Sequence, residues 1–82
     1  GVTAQTRQAI LNMQSVLAEK NLTLANVVKT SVFLADMDDF AEMNAVYAEF
    51  FDEDTAPARS TIEVARLPLD ASMEIDAIAS LD

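Results

Sequence analysis

No cysteine, no histidine and no tryptophan occur among the 82 residues of this chain, and glycine occurs once. Without cysteine there is no disulfide, no thiol nucleophile and no thiolate metal site. Without histidine the commonest general base and the usual zinc ligand are missing. Basic residues are few: five Lys and Arg stand against 14 Asp and Glu, for a formal charge of −9. Arg7, Lys20, Lys29, Arg59 and Arg66 are scattered rather than clustered, which argues against a nucleic-acid backbone as the main partner. No apolar run approaches the ~18–20 residues of a membrane span, and no signal-peptide pattern opens the chain. No membrane partner and a cytoplasmic location are therefore expected. There is no Ser-His-Asp arrangement, Gly-rich phosphate loop or metal-ligand motif, so neither metal nor cofactor is expected.

What remains is apolar and compact. The chain is 51% hydrophobic with two prolines, too apolar for disorder. Its length allows one domain, residues 1–82. A domain this small buries only about 60–65% of its unfolded surface, so its core is marginal without a partner.

The order of elements reads α-β-α-β-β. Thr3 to Lys20 reads as a helix whose Ala9, Ile10, Met13, Val16 and Leu17 form one apolar stripe. Thr3 suits its N-cap, and Asn21 suits a left-handed residue beyond its end. Val27 to Ala35 reads as a strand with Val28, Thr30, Val32 and Leu34 on one face and Val27, Lys29, Ser31 and Phe33 on the other. Apolar groups on both faces make it a central strand. Asp36, Asp38 and Asp39 then cap a second helix, which runs to about Phe51 with Phe40, Met43, Tyr47 and Phe50 on one stripe. Asp52 to Ala58 is an acidic loop. Ser60 to Arg66 and Ser72 to Ser80 read as strands joined by Leu67 to Ala71. Two amphipathic helices over three strands leave a narrow sheet, so further cover is expected from another segment or subunit.

Few polar groups are placed for chemistry. Arg59 follows Pro57-Ala58 at a loop-to-strand junction, where functional side chains are common. On spacing alone a surface ion pair explains it better than a carboxylate receptor gripping a small acid through two parallel hydrogen bonds. Glu74, on the same strand face as Asp76 and Ile78, reads first as a solvent-facing residue and second as a carboxylate that polarises water. Glu63 and Asp76 compete with it for any acid–base role.

One run discriminates further. Pro57-Ala58-Arg59-Ser60-Thr61-Ile62-Glu63-Val64-Ala65-Arg66-Leu67-Pro68, followed by Met73-Glu74-Ile75-Asp76-Ala77-Ile78-Ala79, resembles the signature of the YjgF/Rid family of reactive enamine/imine deaminases. Gln5 to Ala9, Val27 to Met37 and Asp39 to Phe51 resemble consecutive segments of the same family, in the family's order.

The resemblance implies an α+β, chorismate-mutase-like mixed sheet with two helices on one face. It also implies a homotrimer with clefts between subunits. The implied activity is hydrolysis of 2-aminoacrylate, 2-iminopropanoate and related short 2-imino acids to 2-oxo acids and ammonia, without cofactor or metal. By position, Arg59 is the substrate-carboxylate receptor and Glu74 the acid that positions the attacking water. Thr61 stands where many relatives have Cys and contributes through its backbone, and Asn44 and Tyr47 belong to a helix near the cleft. Such chemistry suits these groups, because an imine carbon is already electrophilic and water needs only positioning and modest polarisation. Family domains begin with a β-hairpin and strand ahead of the position of Gly1, so the domain is expected to be N-terminally incomplete. A non-catalytic 2-oxo-acid-binding or interaction subunit is the alternative. Ribonuclease or translation inhibition, attached to some members, fits the −9 charge least.

Overall fold

The computed structural model describes residues 1–81. Helix α1 spans Val2–Ala18 and α2 spans Phe40–Phe50, while strands β1, β2 and β3 span Val27–Leu34, Ala58–Glu63 and Met73–Ala79. Short 3-10 turns at Leu24–Asn26, Met37–Asp39 and Pro68–Asp70 connect them. The order α-β-α-β-β is the one the sequence pattern gives.

The sheet runs β2-β1-β3. β1 pairs parallel with β2 and antiparallel with β3, so the sheet is mixed and β1 is central. Thr30, Val32 and Leu34 of β1 are fully buried. They face the helices and join Ile10, Met43, Tyr47 and Met73 in one core. The opposite face is open, with Ile62 and Ile78 about half exposed or more.

Local chemistry explains most of the boundaries. Asn21 takes φ 59° just beyond α1, as the expected left-handed residue. Asp36 caps the turn into α2 by accepting the Asp38 N–H at 2.9 Å. Thr23 and Asn26 form a capping box around Leu24–Asn26.

Four expectations need correction. The strand expected over Ser60 to Arg66 covers Ala58–Glu63, so Arg59 lies inside it. Gly1, not Thr3, is the N-cap of α1, and it makes no side-chain cap bond. Val16 is 64% exposed, and the core stripe instead begins with Val2 and Thr6. Thr6 is tolerated there because its hydroxyl donates to the Val2 carbonyl at 2.7 Å, the back-bond that lets a threonine enter an apolar helix face. Alternation along β1 also breaks at its start. A register shift between Val27 and Lys29 buries Val27 and turns Val28 outward at 51% exposure, because the extra residue in the bulge flips the side-chain order before it.

Tertiary ties are few and specific. Arg7 of α1 reaches both carboxylate oxygens of Glu49 on α2, at 2.8 and 3.0 Å. The Gln5 side-chain carbonyl accepts the Ser72 N–H at 2.8 Å, fixing α1 to the start of β3. Tyr47 and Thr30 share a buried hydroxyl–hydroxyl bond of 2.7 Å, which joins α2 to the central strand.

Candidate functional site

Arg59 is the second residue of β2 and pairs across from Thr30. Because Thr30 faces the helices, Arg59 emerges on that side, toward α2. One of its guanidinium NH2 groups, Nη1, donates to Asn44 Oδ1 at 2.6 Å. The guanidinium carbon lies 4.6 Å from the Tyr47 ring centre and 5.4 Å from that of Phe40. An aromatic face attracts a cation and leaves its in-plane N–H groups free to donate. A single bond to Asn44 thus aims the fork without consuming it, and the fork matches a carboxylate.

The guanidinium opens into a pocket of about 390 Å³. Asn44 and Tyr47 line it from α2, Glu53 from the following loop, and Pro57 and Arg59 from the entry to β2. The helix that ends at Phe50 and the strand that begins at Ala58 form its two walls, with Tyr47 stacked on Phe51 at 4.5 Å between ring centres. Among the described residues the ion pairs are Arg7–Glu49 and Arg66–Asp70. Arg59 belongs to neither, so the surface-ion-pair explanation of this residue has no support in the structure.

Thr61 lies two residues further along β2 and faces the same side. Its hydroxyl is buried with no hydrogen-bond partner among the described residues. Arg59, Asn44 and Thr61 are therefore brought onto one side of the sheet. Glu74 is not brought to them. It pairs across from Phe33, on the open face, and belongs to the opposite edge strand. There it borders an apolar groove of about 480 Å³ between the outer edge of β3 and α1 residues such as Met13 and Val16. Asp76 has the same orientation, across from Ser31.

Glu63 is accounted for structurally: its Oε1 accepts the Met37 N–H at 2.8 Å, holding the turn that leads into α2. Lys29 donates to Ser60 Oγ at 2.8 Å on the open face. Glu53 was not singled out by the sequence, where it is one acid in a run of acids. Its position two residues beyond Phe51 and six before Arg59 was the only signal. The loop path that turns it toward Arg59 is not written in any periodicity.

Comparison with known proteins places these features in a group. The family model described as Endoribonuclease L-PSP matches residues 1–81. A RutC family protein of Synechocystis is 55% identical over 80 residues, 98% of this chain and 62% of that protein. The 2-iminobutanoate/2-iminopropanoate deaminase of Escherichia coli K12 is 49% identical over 80 residues, 95% of this chain and 62% of the enzyme. The crystal structure of the E. coli YjgF gene product matches with a TM-score of 0.92 at 46% identity. E. coli TdcF with bound serine matches with a TM-score of 0.92 at 40% identity. In both structures the match covers 100% of this chain and 66% of the other. The chain thus spans about 62% of the length of the curated relatives it matches.

Proposed function

The chain belongs to the endoribonuclease L-PSP family, and from that premise we propose that it hydrolyses short 2-imino acids to 2-oxo acids and ammonia. The observation that carries this reading is the Arg59 guanidinium, aimed by Asn44 at 2.6 Å and backed by Tyr47, facing a pocket with its remaining donors unspent among the described residues. The name of the E. coli deaminase, 49% identical to this chain, supports the substrate class. The serine held by E. coli TdcF supports a ligand with a carboxylate and a nitrogen on the same carbon.

In this reading Arg59 holds the carboxylate and so fixes the position of C2, the electrophilic carbon. Water adds to C2 of the iminium while a carboxylate takes its proton. That proton passes to the nitrogen of the tetrahedral aminoalcohol, and ammonia then leaves as the carboxylate accepts the C–OH proton and the carbonyl forms. No redox change occurs, and atoms balance as imino acid plus water giving oxo acid plus ammonia. Thr61, two residues further along β2 on the same face, would contribute through its backbone.

Glu74 is the proposed acid for the water, and its placement supports a site shared between chains. It stands on the other face of the sheet from Arg59, and β1 intervenes, which separates the two strands by roughly 10 Å. A site that uses both residues is assembled from two copies of the chain, Arg59 from one and Glu74 from its neighbour. The open sheet face, with exposed Ile62 and Ile78, is the surface such an assembly would cover, and a trimer is the closed form proposed.

The test is deamination of 2-iminopropanoate generated in solution, with the parent chain beside Arg59→Ala and Glu74→Ala. Activity in the parent and its loss in both variants is expected. A folded parent without activity, or an active Arg59→Ala variant, refutes the reading.

A further inference from the structure

Arg59 and Glu53 line one pocket, yet neither takes part in an ion pair among the described residues. A cation and an anion that face a common space without neutralising each other suit a ligand that carries both charges. Two nearby acids are otherwise engaged, and Asp54 does not line the pocket. Glu49 is held by Arg7, and Asp52 Oδ1 accepts the Asp54 N–H at 3.2 Å. The Thr55 N–H donates to the Asp52 carbonyl at 3.1 Å, so Glu53 occupies the second position of a closed β-turn and is the one acid of that turn that lines the pocket. The pocket, about 390 Å³, is within the range of about 300–1,000 Å³ common for small-molecule sites.

We propose that Glu53 recognises the cationic nitrogen of the ligand whose carboxylate Arg59 holds, and so makes the pocket selective for iminium and ammonium acids over 2-oxo acids. The inference rests on the reading of Arg59 as the carboxylate receptor. It gives the turn after α2 a specificity role distinct from that of Glu74, which is on the other face of the sheet. It also supplies a reason for product release: hydrolysis replaces the charged nitrogen at C2 by a neutral carbonyl oxygen, so Glu53 loses its partner as the reaction completes. The 2-oxo acid is then held by Arg59 alone.

The test measures binding, not turnover, and so does not depend on the chain being a catalyst. L-alanine and pyruvate share the carboxylate and the methyl group and differ at C2, ammonium against carbonyl. Their affinities for the whole chain are measured by calorimetry or by chemical-shift titration, for the parent, Glu53→Gln and Arg59→Gln. Glu53→Gln is expected to weaken alanine about three- to fivefold, the scale of an exposed charge pair, and to leave pyruvate unchanged. Loss of both affinities together in Glu53→Gln, no change in either, or a parent that binds neither ligand overturns the proposal. Arg59→Gln separates the two readings. Equal weakening of alanine and pyruvate upholds the carboxylate receptor. If Arg59→Gln leaves both intact, the Arg59 reading fails and overturns the proposal as stated, even where a shifted ratio in Glu53→Gln still assigns Glu53 to the nitrogen of a ligand whose carboxylate is held elsewhere.

Discussion

Arg59 and Glu74 stand on opposite faces of one three-stranded sheet, Arg59 across from the buried Thr30 and Glu74 across from Phe33 on the open side. The proposed shared site would join Arg59 of one chain to Glu74 of another. Mixing Arg59→Ala and Glu74→Ala subunits should restore activity that each lacks alone, because some interfaces then join an intact Arg59 to an intact Glu74. Random mixing of equal amounts makes roughly a quarter of the sites complete. Activity that stays at zero after subunit exchange would show that the two residues act from the same chain or do not act together. Sedimentation of the parent chain as a monomer would remove the interface altogether.

Asn44 aims Arg59 without being required for its charge. Asn44→Ala should raise KM for 2-iminopropanoate about tenfold, equivalent to ~1.4 kcal/mol, and lower kcat less. Steady-state kinetics separates the two. A fall in kcat at unchanged KM would instead assign Asn44 to the chemical step.

The Tyr47–Thr30 bond, 2.7 Å and buried, should matter to stability more than to binding. Tyr47→Phe leaves the Thr30 hydroxyl unpaired at a fully buried position, which costs about 1–3 kcal/mol. The ring beneath Arg59 remains. Urea unfolding should show a lower midpoint with an unchanged slope. Adding Thr30→Val should recover part of the loss, since an apolar pair is cheaper than a lone buried hydroxyl.

Two glutamates that compete in the sequence should separate cleanly. Glu63→Gln keeps a carbonyl oxygen for the Met37 N–H and should retain both stability and deaminase activity. Glu74→Gln removes the proton acceptor and should abolish activity while the chain stays folded. The reverse pattern, an inactive Glu63→Gln beside an active Glu74→Gln, would exchange their roles.

Thr61 has a buried hydroxyl with no partner among the described residues. Thr61→Val should be neutral or stabilising, by up to ~1 kcal/mol, because the hydroxyl carries a desolvation cost without a bond. If the substrate meets only the backbone here, kcat/KM should stay within about twofold, a change of ~0.4 kcal/mol. A large rise in KM would show that the hydroxyl itself binds the ligand.

Much of the fold was legible because apolar periodicity fixes what kind of element forms. The stripe through Ile10 and Leu17, the alternation of Thr30, Val32 and Leu34, and the cap at Asp36 each act over a few residues. Asn21 announced the end of α1 for the same local reason. The errors also have local causes. Val28 faces outward because a bulge adds one residue to β1, and the strand pattern carries no mark of it. Val16 lies beside the outer edge of β3, where no described strand covers it. Within the candidate site, Arg59 was marked by its place after Pro57, whereas Glu53 was one acid among several.

The sequence by itself determined the elements, their order, and which residues of one strand share a face, since backbone geometry ties side-chain direction to spacing along the chain. Only the tertiary structure decided which face that is. Alternation is relative, and the absolute side of Arg59 or Glu74 is set by register against β1 and by which side the helices cover. The same holds for Asn44 on Arg59, 15 residues apart, and for Glu53 in the pocket beside it. Those meetings depend on where α2 crosses the sheet and how the loop returns, and packing of the core fixes both.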